Sequence, residues 1–423
     1  MLHVVAEFGI GFFSSFFGKL RLFCGFFLVS GILCVFGGFS CHVCAHNHKL
    51  PVITVNPDGS LRGKGGLLEE EAVSFAKLLE QAGVDMIQVA QANHTGNMGD
   101  TIPPMGAVPY NWTLPAAKKV KHAVSIPIAT VGRVVTTEAG EQMLEQGEAD
   151  VIGYGRSLLT DPDIASKTEA GECIRECLNC NKGCVDAIQN RRYISCVLNA
   201  ENGDEATIFL KEASSSKKVA VIGAGIAGLE AARVAAKRGH HVTLFEKENK
   251  IGGQIHLAAV PPRKNEILRA VTYYEKILPT LSVELKLNTQ PSAAELNGFD
   301  TVIAAVGAHN MPLPIPAENS KILSSWDVLA GAEISGTCAV LGGGLVGTET
   351  AEYLAAWGHK VLIIEMMDKI AAGESGTVMP LITKDFESHN VEQYVNTKLS
   401  FLRQLKKSGM LFVNRCYSGV IFG

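Results

Sequence analysis

The stretch "KVAVIGAGIAGLEAARVAAKRGHHVTLFEKENKIGGQ", residues 218–254, decides the fold of the second half of the chain. Its first apolar run, residues 219–222, reads as a buried strand. The run leads into G-x-G-x-x-G at Gly223, Gly225 and Gly228, with Ala227 inside the turn, and an Ala-rich helical stretch follows. A second apolar run ends on Glu246. Glycines in such a turn let the backbone approach a pyrophosphate, and the helix N-terminus attracts its charge. A carboxylate about 20 residues further on takes a ribose hydroxyl. A lone G-x-G-x-x-G is weak evidence. Framed by a strand, a helix and an acidic residue, it predicts a dinucleotide-binding unit. A later apolar strand, "GFDTVIAAVGA" (residues 298–308), ends in a glycine that can reach the same ligand.

The pattern recurs in "TCAVLGGGLVGTETAEYLAAWGHKVLIIE", residues 337–365, with Gly342, Gly344 and Gly347 in the turn and Glu365 closing the second strand. Two such units in one chain fit one flavin dinucleotide and one nicotinamide dinucleotide. A carboxylate at Glu365 bonds a ribose 2′-hydroxyl and repels a 2′-phosphate, which favours NAD(H) over NADP(H). Beyond Glu365 the rhythm decays to one helix and little else, so the second unit is expected to be cut short.

Before the first unit, past a polar linker "KEASSSKK" (residues 211–218), stands "CLNCNKGCVDAIQNRRYISC" (residues 177–196). Cys177, Cys180, Cys184 and Cys196 form C-x2-C-x3-C-x11-C. Zinc ribbons place two close pairs far apart. Three close cysteines and one distant partner suit a [4Fe–4S] cube, with zinc and disulfides as the alternatives. Cys173 falls outside the spacing. Eleven cysteines in 423 residues do not make a small disulfide scaffold.

Upstream, strand and helix alternate. "LEEEAVSFAKLLEQAG" (residues 68–83) is helical and "VDMIQVA" (residues 84–90) a strand. "IPIATVG" (residues 126–132) and "DVIGYGR" (residues 150–156) are further strands with helices after them. This alternation predicts a parallel sheet flanked by helices. Arg133 and the Gly155–Arg156 pair follow the last two strands, where barrels of this kind bind phosphate; ordinary loop chemistry is the alternative. A net charge of -4 without basic clusters gives no sign of a nucleic-acid partner.

Half-barrel, cysteine segment and two nucleotide units, in that order, resemble the 2,4-dienoyl-CoA reductase group of old yellow enzyme-like NADH:flavin oxidoreductases. "IPIATVGRV", "GYGRSLLTDPD" and "GAGIAGLEAA…LFEKENKIGGQ" also look like this family's segments. The resemblance runs from about residue 67 to residue 368. It implies a (β/α)8 barrel holding FMN, a [4Fe–4S] cluster, a Rossmann-like FAD domain and a site for NAD(P)H. By it, Arg133, Gly155 and Arg156 hold the FMN phosphate, and the four cysteines ligate iron. Ala227, Glu246, Gly253, Gln254 and Lys264 contact FAD, and His94 lies near the substrate as an active-site histidine. It implies transfer from NADH to FAD to [4Fe–4S] to FMN, and then to the C=C bond of a conjugated enoyl or enone substrate. An amine dehydrogenase of the trimethylamine type and a non-catalytic cofactor-binding fragment are the rivals.

The chain is short for this plan, since a full barrel takes about 250 residues. Only the last three β/α units are visible, with part of a fourth near "PVITVN" (residues 51–56). The expected organisation is an apolar segment 1–48, a partial barrel 49–172 and an iron–sulfur segment 173–212. An FAD domain 213–336 and a truncated nicotinamide domain 337–423 follow. "LFCGFFLVSGILCVFGGF" (residues 22–39) is uncharged and apolar. It reads as a membrane anchor, a signal peptide or a shifted reading frame. Absent an anchor, the expected compartment is the cytoplasm.

Overall fold

Ala72, Ala76 and Leu79 recur at helical spacing, and the helix Glu69–Gln81 buries all three. Its first turn is Glu69, Glu70 and Glu71, at the end where the helix dipole favours negative charge. This computed structural model describes residues 68–90, 98–310 and 322–398, together with the backbone of four short strands outside them. Two compact units divide the chain, Met1–Thr207 and Ile208–Gly423.

The first unit is α/β, with strands numbered in chain order. β1 (Val4–Val5), β2 (Ile32–Val35), β3 (Met86–Val89), β4 (Ile128–Val131) and β5 (Val151–Gly153) form one parallel sheet in the order β1-β5-β4-β3-β2. Ile87 pairs with Ile128, and Thr130 with Ile152. Helices Leu114–Lys121 and Thr137–Glu145 lie between successive strands, as barrel-type β/α units require. Ile87, Val89 and Ile128 pack with Ala76, Leu79, Ala117 and Val120 into one core. β2 falls inside the apolar run 22–39. Its backbone covers the edge of β3, where unpaired N–H and C=O groups would otherwise face solvent. Among the described residues no helix is long and apolar enough to cross a membrane. Residues 51–56, expected as part of a further strand, and His94 lie outside the described residues.

In the second unit β6 (Lys218–Ile222), β7 (His241–Phe245), β8 (Glu284–Lys286) and β9 (Thr301–Ala304) make a parallel sheet in the order β8-β7-β6-β9. The crossover helix Ile226–Lys237 buries Leu229, Ala232 and Ala235. This is the doubly wound arrangement expected of the first nucleotide unit. β10 (Ala317–Glu318) pairs with β14 (Leu402–Arg403). β11 (Cys338–Leu341), β12 (Val361–Ile364) and β13 (Glu392–Tyr394) form the second parallel sheet. β13 and the helix before it, Met379–Ser388, extend the second unit beyond Glu365. β13 has three residues, Glu-Gln-Tyr, too few and too polar for a periodic signal.

Candidate functional site

Asn179 and Asn181 flank Cys180 with φ of 53° and 60°. Asn tolerates this left-handed region better than most residues. The two reversals fold residues 177–184 into a tight loop, and both asparagines are buried, at 1% and 0% exposure. Asn181 Nδ2 donates to Ile102 O at 2.8 Å, and its Oδ1 accepts from Arg156 Nη1 at 2.7 Å. The returning arm is held by Ser195 N–H donating to Gly183 O at 2.7 Å. A Cβ on Gly183 would lie 2.3 Å from Ser195 O, so only glycine permits this approach. Cys177, Cys180, Cys184 and Cys196 thereby line one cavity, shared with Arg156 and Thr160. Thr160 Oγ1 is 3.5 Å from Cys196 Sγ, and Asn179 N–H donates to Cys177 Sγ at 3.3 Å.

None of the four is in a disulfide. Burial pushes the Cys180 thiol up to about 12 and the Cys184 thiol to about 11. It also raises Cys177, against the opposing pull of the Arg156 charge. Such a donor set becomes thiolate only when a positively charged centre takes the protons' place. Among the described residues no group of three or more His, Cys, Asp or Glu side chains is arranged to hold a metal ion. Cys173 does not line the cavity.

The barrel-side loops stand nearby. Gly132, at φ 143°, has Thr113 and Trp112 against it, and a Cβ there would lie 2.6 Å from Thr113 Cγ2. Arg133 follows at φ 54°. Its Nη1 donates to Pro104 O at 2.8 Å, and its guanidinium lies 4.9 Å from the Tyr110 ring centroid. Trp112 Nε1 and Asn111 Oδ1 are buried beside this turn with no hydrogen-bond partner. Gly155 precedes the short helix Arg156–Thr160, and a Cβ on it would meet open space.

The two nucleotide turns share one geometry. Gly223 and Gly342 have φ of 97° and 95°. A Cβ on Gly225 or Gly344 would meet nothing within 4 Å, whereas on Gly228 or Gly347 it would lie 1.8 Å from the first glycine's carbonyl oxygen. The first glycine makes the turn, the second leaves room for a pyrophosphate, and the third closes the helix onto the strand. Ala227 sits in the first turn of the helix Ile226–Lys237. Glu246 Oε1 accepts from Glu248 N–H at 2.9 Å, and Glu365 Oε1 from Met367 N–H at 2.7 Å. Gly252 bridges Gly225, and Gly253 brings its chain against the same glycine. Gln254 Nε2 donates to Ala308 O at 3.0 Å. Lys264 Nζ is paired with Glu349 Oε1 at 2.7 Å, on the helix Leu345–Ala356. Its neighbour Arg263 donates to Glu352 and Asp385.

Residues 56–173 match the NADH:flavin oxidoreductase / NADH oxidase family, and residues 217–414 match the pyridine nucleotide-disulphide oxidoreductases. The chain belongs to the NADH:flavin oxidoreductase family. A bilirubin reductase of Mediterraneibacter gnavus is 52% identical over 362 residues, covering 84% of this chain and 56% of that protein. A cinnamate reductase of Clostridium sporogenes is 37% identical over 333 residues, covering 73% of this chain and 48% of that protein. Among solved structures, a 2-naphthoyl-CoA reductase superposes with a TM-score of 0.75 at 26% identity, covering 84% of this chain and 54% of that one. The chain spans about half the length of the curated relatives it matches.

The resemblance read from the sequence therefore holds, and with it the α/β class of a barrel-type part followed by Rossmann-like units. Sequence reading missed four contributors to the site. Asn179, Asn181 and Gly183 shape the cysteine loop, and the Asn-Cys-Asn-Lys-Gly run carries the turn chemistry that marks them. Arg263 carries no such signal, because its partners are 89 and 122 residues away.

Proposed function

We propose that the chain is part of an NADH-dependent flavin and iron–sulfur oxidoreductase that reduces C=C bonds of conjugated enoyl or enone substrates. The observation that carries this reading is the convergence of Cys177, Cys180, Cys184 and Cys196 on one cavity beside Arg156. Three closely spaced cysteines and one distant partner suit a [4Fe–4S] cluster better than a zinc ribbon, which places two close pairs far apart. Cinnamate and the naphthoyl ring, named in two of the relatives, are conjugated systems.

The chain's own residues divide the work. Gly225 and Gly344 leave room for two dinucleotide pyrophosphates, and Glu246 and Glu365 hold carboxylates at the ribose positions. An FAD takes the first turn, with Ala227, Gly253 and Gln254 beside it, and an NADH the second. Glu365 disfavours a 2′-phosphate and so favours NADH. It also counts against an amine dehydrogenase, which needs no nicotinamide. Arg133 with Gly155 offers a phosphate site for FMN, with the Trp112 Nε1 donor beside it. Lys264, held by Glu349, stands with Ala227, Gly253 and Gln254 as an FAD contact. His94 is retained as the candidate active-site histidine near the substrate. When bound, the flavins supply hydride chemistry and the cluster one-electron transfer between them. The segments 49–172, 173–212, 213–336 and 337–423 are the proposed limits of these parts. A reducing, cytoplasmic compartment is part of this reading, since iron–sulfur ligation needs reduced thiols.

The test is the iron, acid-labile sulfide and flavin content of anaerobically purified chain, followed by NADH. About four iron and four sulfide per chain are expected, with flavin bleached by NADH and reoxidised by a conjugated alkene such as cinnamate. Zinc in place of iron overturns the cluster. Flavin that NADH does not bleach leaves only a cofactor-binding module.

A further inference from the structure

Arg156 stands where two loops meet. It is the first residue of the helix Arg156–Thr160, directly after the strand β5 and Gly155. Its Nη1 donates to Asn181 Oδ1 at 2.7 Å and to Pro103 O at 2.9 Å. Asn181, between Cys180 and Cys184, is fully buried and donates in turn to Ile102 O at 2.8 Å. Arg156 and Asn181 thus grip the same peptide stretch, 102–103, from two sides. The Arg156 side chain lines the cavity of the four cysteines. Its charge acts on Cys177, Cys184 and Cys180, while Arg133 is the like charge that opposes it.

We infer that Arg156 is a positioning residue of the cysteine cavity as well as a barrel-loop cation: it locks the cysteine loop through Asn181 and sets the reduction potential of the cluster held there. The inference rests on the iron–sulfur reading above. Four thiolates around an iron–sulfur core leave a net negative charge that grows on reduction. A fixed guanidinium beside them stabilises the reduced form more than the oxidised one and so raises the potential, since net charge and hydrogen bonding around the sulfurs tune it. A flavin phosphate claims the same side chain only through nitrogens other than Nη1, which the loop already uses twice.

The test uses the full chain, purified anaerobically, as wild type, R156K, R156Q and N181G. Glycine keeps the left-handed backbone of Asn181 while removing the acceptor for Arg156. Iron and flavin contents and the midpoint potential of the cluster, followed by electron paramagnetic resonance, are measured for each. The expected result is a midpoint shifted negative in R156Q, less so in N181G and least in R156K, with iron retained. A midpoint unmoved in R156Q, with flavin content reduced, overturns the inference and makes Arg156 a phosphate ligand only. If R156Q fails to load iron, N181G decides: a negative shift supports the inference and an unmoved midpoint overturns it. Wild-type chain without iron defeats the cluster reading itself and this inference with it.

Discussion

Glu246 Oε2 accepts a hydrogen bond from the Ala224 backbone N–H at 2.7 Å, across 22 residues of sequence. Glu365 Oε2 does the same with Gly343 N–H at 2.6 Å, across the same 22 residues. Each carboxylate is thus seated on its glycine turn, at 6% and 8% exposure, before any ribose arrives. Such pre-organisation lowers the cost of binding.

Glu246→Ala removes that acceptor and strands the buried Ala224 N–H. A loss of about 1–3 kcal/mol in stability is expected, together with weaker retention of FAD. Thermal unfolding and flavin content after gel filtration check both. Unchanged flavin content would remove Glu246 from the site.

The second and third glycines of the turn separate binding from folding. Gly225→Ala places a Cβ in open space, so the unfolding midpoint stays within a few degrees while dinucleotide binding is lost. Gly228→Ala drives a Cβ to 1.8 Å from Gly223 O and is expected to cost about 3 kcal/mol or more. Calorimetry on the two variants, with flavin content alongside, reads the difference.

Cys184→Ser is expected to lose most of the bound iron, whereas Cys173→Ser, outside the cavity, retains it. Gly183→Ala follows Cys184→Ser, because its Cβ would force Ser195 away and Cys196 with it. Iron content by mass spectrometry decides all three; equal loss in Cys173→Ser would mean that the cavity is misassigned.

Arg263, at φ 67°, holds Glu352 and Asp385 from two helices. Burial keeps the Glu352 carboxyl up at about 7 despite the pull of Arg263. A raised folded value means that the folded state binds the proton more tightly. The stability from this group is full below the usual 4.5 and is lost as pH rises through about 7. Arg263→Met deepens that loss by leaving the buried Glu352 carboxylate unpaired, at about 3–5 kcal/mol at pH 8 and less at pH 5. Unfolding midpoints at the two pH values, with Glu352→Gln as the variant that flattens the dependence, test this sign.

Much of the site was legible from local pattern because its chemistry is local. The glycine turns, the carboxylates after the second strands and the three close cysteines each act through residues within about 25 positions. The strand β13 was not legible, since Glu392–Tyr394 forms only because β12 offers it an edge to pair with. Nor was the direction of Arg156: a Gly-Arg after a strand reads as a phosphate site, and only the folded loop brings Asn181 within 2.7 Å.

By itself, the sequence determined the order of the parts and proposed the groups that would hold the cofactors. Periodicity, turn glycines and thiol spacing are short-range properties that survive without a fold. The tertiary structure alone decided which distant groups meet: Arg156 with Asn181, and Arg263 with Glu352 and Asp385. Those meetings depend on burial and chain reversal, where the left-handed turns at Asn179 and Asn181 and the missing side chain of Gly183 leave room for one arrangement.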